Sequence, residues 1–453
     1  MSGKPPPKSR LGRIAQLSSL TSRVSGSYLG QRIKGAFQDD EARDASMRKL
    51  HIENAERVVK SMGALKGAAM KVGQSIALIA DGMDLPPDVA RVLGKLNDKA
   101  EPIPFSLIQR TVEAELEGSL TDRFDRFDPN PLGTASLAQA HAARLKDGTP
   151  VVVKVLHQGV EHSVDTDLAA LKSLLITGRV LRRDKEELEA FFEEVRQRLQ
   201  EELDYYQEAA NIEYFHYAMK TIPDIHVPRT YPSHCTDKVL TMDHVEGVPL
   251  DRFMETADYA ACQKAGWLLC HSFHDMFYRL RTLHADPHGG NYLFRKDGGL
   301  SLVDFGCVRR FDIDWVGDYG RMALAGVDMD KPGFFKASRK IGTLVGQSPE
   351  AEDLLWRLAG AIMGPLRLPY YKCGAPDDLV LEQVKDLAGT VLRNTELRSP
   401  PELVFLHRAL GGVYSMMRKL RHEGDYGSFM RRHVRYAIGV AEGRVSDGSP
   451  VPA

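Results

Sequence analysis

An octapeptide, His284-Ala285-Asp286-Pro287-His288-Gly289-Gly290-Asn291, with Asp304-Phe305-Gly306 close behind it, restricts this chain more than any other feature. Transfer of a terminal phosphoryl group asks for an Asp near the reacting phosphate and an Asn shortly after it to hold Mg²⁺. It also asks for a second Asp, on the turn behind a short strand, to chelate metal. Asp286 and Asn291 keep the Asp-x-x-x-x-Asn spacing, and Leu300–Val303 read as the strand before Asp304. A lone Asp-Phe-Gly arises by chance; three such elements in order do not. Asp286 is therefore expected to position or deprotonate an acceptor, with Asn291 and Asp304 as metal ligands.

Upstream, Lys154 closes the run Val151-Val152-Val153, and Val155-Leu156 follow it. The stretch is β-branched and reads as a buried strand. By itself, a Lys there is usually an edge residue facing water. With the downstream motifs present, it is expected to reach nucleotide phosphates while pairing with a Glu on a following helix. The helix predicted over Glu186–Met219 offers Glu202-Leu203-Asp204 and Glu208. Asp204 and Glu208 are four apart and share a face, while Glu202 points elsewhere. Glu208 is the expected partner of Lys154. No G-x-G-x-x-G loop precedes Lys154. Leu132-Gly133-Thr134-Ala135-Ser136 stands in its place, and small residues still let backbone N–H groups approach phosphates.

Ala285 stands before Asp286, where an Arg would answer a phosphorylated activation segment. Activity is therefore expected not to wait for such phosphorylation. Ser348-Pro349-Glu350 is read as a chance echo of Ala-Pro-Glu. His284 and His288 flank Asp286, but they read as a structural and a locally hydrogen-bonded residue rather than as a transition-metal pair.

Composition narrows the class. With 43% hydrophobic and 27% charged residues, the 453-residue chain is a folded protein long enough for two or three domains. A formal net charge of -1 argues against neutralising many nucleic-acid phosphates, so no nucleic-acid partner is expected. The 5 cysteines form no C-x-x-C pair, which fits a reducing compartment without a zinc knuckle. No run approaches the ~18 apolar residues of a membrane-spanning helix. Residues 1–38 carry Lys and Arg with no Asp or Glu, so this arm is read either as a solvated tail or as a membrane-surface or transit segment.

Periodicity divides the chain into a basic arm (1–41), a helical extension (42–117), a mixed α/β unit (118–245) and a helical unit (246–453). Helices are expected over Asp88–Asn97, Phe105–Leu116, Val164–Leu181, Pro349–Met363 and Leu379–Arg393. Strands are expected at Val227–Tyr231, Lys238–Asp243, Tyr292–Phe294 and Ser301–Val303, with a hairpin arm over Ala135–Leu145 and a turn at Lys146-Asp147-Gly148. Lys71-Val72-Gly73-Gln74 lies in the extension, and Lys71 and Gln74 share one helix face. Alone they would pass as ordinary surface.

Together these residues resemble the UbiB/ADCK family of atypical kinases, from about residue 60 to about residue 310. The family's marks are a K-x-G-Q helical extension, an Ala-rich loop, a strand Lys, an E-x-D helix, H-A-D-P-H-P-G-N and D-F-G. The chain departs in two places: Gly133 opens the Ala-rich loop, and Gly289 replaces a Pro. The resemblance implies an α+β, bilobal protein-kinase-like fold whose extension carries Lys71 and Gln74 toward the nucleotide. It implies that Gly133, Thr134, Ala135, Ser136, Lys154, Glu202, Asp204 and Glu208 line a site for ATP or ADP with Mg²⁺. It implies an atypical kinase or ATPase supporting ubiquinone biosynthesis, peripheral to an inner membrane on the cytoplasmic or mitochondrial-matrix side. Expected partners are membrane lipid or ubiquinone precursors and enzymes of that pathway, with a homodimer allowed. The readings set against it are a nucleotide-gated lipid-binding scaffold or chaperone, and a true protein or small-molecule kinase.

Overall fold

The computed structural model describes residues 102–135, 137–160 and 185–451, with isolated positions between 19 and 57 and between 164 and 172. Lys71, Gln74, Ser136, the helix expected over 88–97, most of the basic arm and extension, and most of the helix expected over 164–181 lie outside the described residues. The chain divides into two units, Met1–Ala209 with Thr230–His244, and Ala210–Arg229 with Val245–Ala453. In chain order the strands among the described residues are β1 (Phe124–Thr134), β2 (Ala138–Leu145), β3 (Pro150–Leu156), β4 (Ile225–His226), β5 (Val239–Asp243), β6 (Thr282–His284), β7 (Tyr292–Phe294), β8 (Leu300–Leu302), β9 (Val308–Arg310), and a short antiparallel pair, β10 (Tyr371–Lys372) with β11 (Glu423–Gly424).

In the first unit, β1, β2, β3 and β5 form one antiparallel sheet in the order β1-β2-β3-β5. Alternation along β3 buries Val151, Val153 and Val155 on one face. There they meet Ile108, Val112 and Leu116 from the helix Phe105–Glu115 and its C-terminal end, closing a core with Phe124 and Val239. Lys154 emerges on the other face between Ala140 and Leu240. The β2–β3 turn falls at Lys146–Gly148 as expected, with Gly148 at φ +89. β1 was not foreseen. Pro129 and Pro131 withhold two ladder donors, its pairing with β2 shifts register three times, and its burial does not alternate, so it carries no strand period.

The helix expected as one piece over 186–219 is two helices, Lys185–Glu202 and Tyr205–Ala218. Leu203 and Asp204 bond back to Gln200 and Glu201 in a tightened last turn. The Asp204 carboxylate then accepts the Gln207 N–H at 2.9 Å and starts the second helix.

In the second unit, β7 pairs antiparallel with β8, and β4 joins β8 in parallel. The strand expected over 227–231 does not form as a strand. Pro228 has no N–H to donate; β4 covers only Ile225–His226, and within the expected run only Thr230 pairs, as a single antiparallel bridge with Met242. A second pair, β6 with β9, brackets the motif region and was also unforeseen. The helix Tyr259–His274 runs into a π-helical turn, Asp275–Arg279, where Arg279 grips the buried Asp275 carboxylate through Nε at 2.6 Å. Helices follow over Ile313–Val327, Lys331–Lys340, Pro349–Met363, Val380–Arg393, Pro401–Leu420 and Tyr426–Ala441. Ser348 caps Pro349–Met363, so Ser-Pro-Glu is simply a helix start.

Candidate active site

In the first unit, Lys154 Nζ lies 2.8 and 2.9 Å from the two carboxylate oxygens of Glu208. Glu208 is 2% exposed and Lys154 19%, so the charges meet away from bulk water. The Tyr205 ring stands 5.4 Å from the same ammonium. Asp204 is exposed and serves its helix start, and Glu202 is half-buried at the end of the preceding helix. Gly133 and Thr134 end β1 opposite Ala140 and Gln139, and Ala135 N–H donates to Ala138 at 2.8 Å to turn the chain. Gly133 has no atom within 4 Å of where a Cβ would stand, so the position would accept alanine.

In the second unit, β6 delivers His284 to the floor of the motif region. Its Nε2 donates to the Asp304 carbonyl at 2.6 Å, which fixes the tautomer and leaves Nδ1 buried without a partner. The ring also meets Phe305 edge-on at 5.4 Å. Phe305 is fully buried, stacks on Phe215 at 4.9 Å, and its carbonyl accepts from Asn211 Nδ2 at 3.1 Å. Ala285 N–H donates to the Cys307 carbonyl at 2.9 Å. The two motifs are thus sewn together at His284 and Ala285, immediately before Asp286.

Asn291 donates from Nδ2 to the Asp286 backbone carbonyl at 2.9 Å, and its own carbonyl accepts the Val303 N–H at 3.1 Å. These bonds set Asn291 between Asp286 and the residue preceding Asp304. Asp304 Oδ1 accepts the Gly306 N–H at 3.2 Å. His288 is exposed and its Nδ1 accepts the Gly290 N–H at 3.1 Å, a local turn contact. Tyr292 is buried behind the loop, and burial, reinforced by the charge of Asp286, holds its hydroxyl well above the ordinary phenol range.

One neighbour of Asp286 was invisible in the sequence. Arg408, from the helix Pro401–Leu420, places Nη2 at 2.5 Å from Asp286 Oδ1. One turn on, Gly412 packs so tightly on Pro287 that a Cβ would stand 2.4 Å from its Cγ. An Arg-x-x-x-Gly spacing on an unremarkable helix gave no signal of either contact.

The donor set suits a hard cation. Asn291 Oδ1 receives no hydrogen bond among the described residues, and Asp304 follows the residue that Asn291 holds. An amide oxygen and a carboxylate are ligands that Mg²⁺ accepts together with phosphate oxygens. Among the described residues no group of three His, Cys, Asp or Glu side chains stands ready for a metal.

Residues 95–338, more than half of the chain, match the family described as "ABC1 atypical kinase-like domain". The chain is 28% identical over 444 residues to "Atypical kinase coq-8, mitochondrial" of Caenorhabditis elegans, covering 96% of this chain and 58% of that protein. It is 27% identical over 424 residues to "Atypical kinase COQ8, mitochondrial" of Saccharomyces cerevisiae, covering 91% and 82%. A solved structure described as the complex of Rv3197 and erythromycin, from Mycobacterium tuberculosis, superposes with a TM-score of 0.59 at 25% identity, over 86% of this chain and 97% of that one. The chain has the kinase-like fold and belongs to the ABC1 family of atypical kinases, the UbiB/COQ8/ADCK proteins.

Proposed function

We propose that this protein is a Mg²⁺-dependent atypical kinase or ATPase that supports ubiquinone biosynthesis at a membrane surface. The observation that carries this reading is the interlocked set His284, Asp286, Asn291 and Asp304, complete in its chemical groups. Asn291 and Asp304 would hold Mg²⁺, which neutralises charge on transferring phosphates. Lys154, oriented by Glu208, binds α- and β-phosphate oxygens. Asp286, steadied by Arg408 and Asn291, orients the acceptor hydroxyl or water and takes its proton. Gly133, Thr134, Ala135 and Ser136 line the phosphates through backbone N–H groups, and Lys71, Gln74, Glu202 and Asp204 complete the nucleotide environment.

The link to ubiquinone rests on kinship with COQ8 proteins, and so does action on lipid-like precursors or pathway enzymes. A place at the inner membrane agrees with a basic arm and with the fact that, among the described residues, no helix is long and apolar enough to cross a bilayer.

The test is ATP turnover by the purified chain with Mg²⁺, with and without anionic vesicles and a quinone-precursor-like phenol, beside Asp304→Asn. Turnover that rises with vesicles or phenol and disappears in the variant supports the reading. Nucleotide binding without turnover in either protein sinks it, and leaves a nucleotide-gated scaffold as the function.

A further inference from the structure

The helix that brings Arg408 to Asp286 has a second face. Leu406, Leu410, Val413 and Met417 line a cavity of about 240 Å³ inside the second unit. Phe277 and Tyr319 form part of its opposite wall. An apolar cavity of about 150 Å³ is enough to bind benzene. Gly411 also lines the space, and no atom lies within 4 Å of where its Cβ would be. A mid-helix glycine costs about 1 kcal/mol against alanine, and nothing around Gly411 demands it. Having no side chain, it leaves that part of the lining unfilled.

One wall is built differently from the rest. The helix Val380–Arg393 contributes Val380 and Val384, and its apolar positions 380, 384, 387 and 391 fall on one face. All four are only half-buried, so this wall stands partly open to solvent. The lining also carries several polar groups, among them the hydroxyls of Tyr278, Tyr319 and Tyr426. Tyr371 and Tyr414 both donate to the buried Asp378 carboxylate and are occupied. The ring of His407 makes no hydrogen bond among the described residues, and burial pushes it down to about 4, so it is neutral near pH 7.

We propose that this cavity is a binding site for a small uncharged hydrocarbon-rich molecule, about one or two fused rings in size and bearing one hydrogen-bonding group for His407, and that its occupancy is transmitted to the catalytic loop. The transmission follows from the helix Pro401–Leu420 acting as one rigid piece. Its Leu410 and Gly411 face the ligand, while Arg408 grips Asp286 and Gly412 abuts Pro287. A ligand that shifts this helix by a fraction of an ångström alters both contacts at once. The second half of the proposal rests on the reading of Asp286 as a catalytic residue.

The test uses the full chain with indole and its isostere indene, which lacks the N–H. Ligand-observed NMR and thermal melting should give saturable one-site binding and a Tm rise of a few degrees, with indole several-fold tighter than indene. Gly411→Phe fills the cavity and should abolish both effects. Should it fail to fold, Val384→Trp blocks the chamber from the half-buried wall. No saturable binding to the natural chain, or binding unchanged in a folded blocked variant, overturns the site. Hydrogen exchange across residues 284–291 reads the transmission without any turnover. A change on adding indole that is lost in the blocked variant supports it, and exchange unaffected by bound indole overturns it. Because neither readout uses ATP hydrolysis, an inert enzyme would sink the proposed function while leaving the cavity site standing or falling on its own result.

Discussion

Arg408 and Asp286 stand 122 positions apart in sequence, yet the guanidinium Nη2 and the carboxylate Oδ1 meet at 2.5 Å. Charge-assisted bonds of this kind hold geometry as well as charge. The kinase-type loop has no Arg before its Asp here, and the loop is instead anchored from a distant helix.

Arg408→Ala should therefore lower kcat roughly 10- to 100-fold, the scale expected when a reacting group drifts by about 1 Å. The nucleotide KM should change little, because Arg408 is assigned no nucleotide contact. Arg408→Lys should recover only part of the loss, since an ammonium lacks the planar fork. Steady-state kinetics on the three proteins separates these outcomes.

The Lys154–Glu208 pair gives a stability prediction. Replacing Lys154 with Met takes the ammonium away from a carboxylate that is only 2% exposed, a change that costs up to about 3–5 kcal/mol at buried pairs. Lys154→Met with Glu208→Leu should recover most of that stability while abolishing turnover. Urea unfolding of the two single variants and the double variant measures the coupling.

Adjacent glycines on one helix should behave oppositely. Gly412→Ala forces a Cβ to within 2.8 Å of the Pro287 carbonyl oxygen and should depress both Tm and turnover. Gly411→Ala meets no atom within 4 Å and should be neutral or stabilising by up to about 1 kcal/mol. Thermal melts of the pair decide it.

Acid should weaken the second unit early. Burial holds His274 down to about 3, and His407, His422 and His433 down to about 4. Unfolded, each would titrate near 6.5, so the unfolded chain takes up protons first as pH falls. Their stabilising contribution is complete above about pH 6.5 and is lost progressively toward pH 4. Each ring should cost roughly 1–2 kcal/mol between pH 7 and pH 5. His433→Phe removes an imidazole whose Nε2 is buried without a partner. Urea midpoints at the two pH values should show a shallower pH slope for that variant.

The interlocked 284–291 loop, the Asp-Phe-Gly turn and the strand Lys were legible as local structure because each is set by short spacing within one local element. Glu208 was legible because helical periodicity put it four residues from Asp204, although Asp204 proved to begin the helix rather than sit on its face. β1 was not legible, since its prolines erase the alternation that marks a strand. The β6–β9 pair was missed because three-residue strands carry too little period, and Arg408 because long-range packing leaves no local trace. The break at Leu203–Asp204 hid inside a run of good helix formers, where one side-chain cap outweighed propensity.

The reach of Arg408 also bears on where this enzyme's minimal catalytic fragment ends. The family match stops at residue 338, seventy residues short of the Arg408 that grips Asp286. A truncation drawn to that limit would preserve every signature motif and still discard the brace behind Asp286. Expression libraries and chimaeras cut at the recognisable boundary would then score as dead for a mechanical reason, with no chemical group missing from the loop itself.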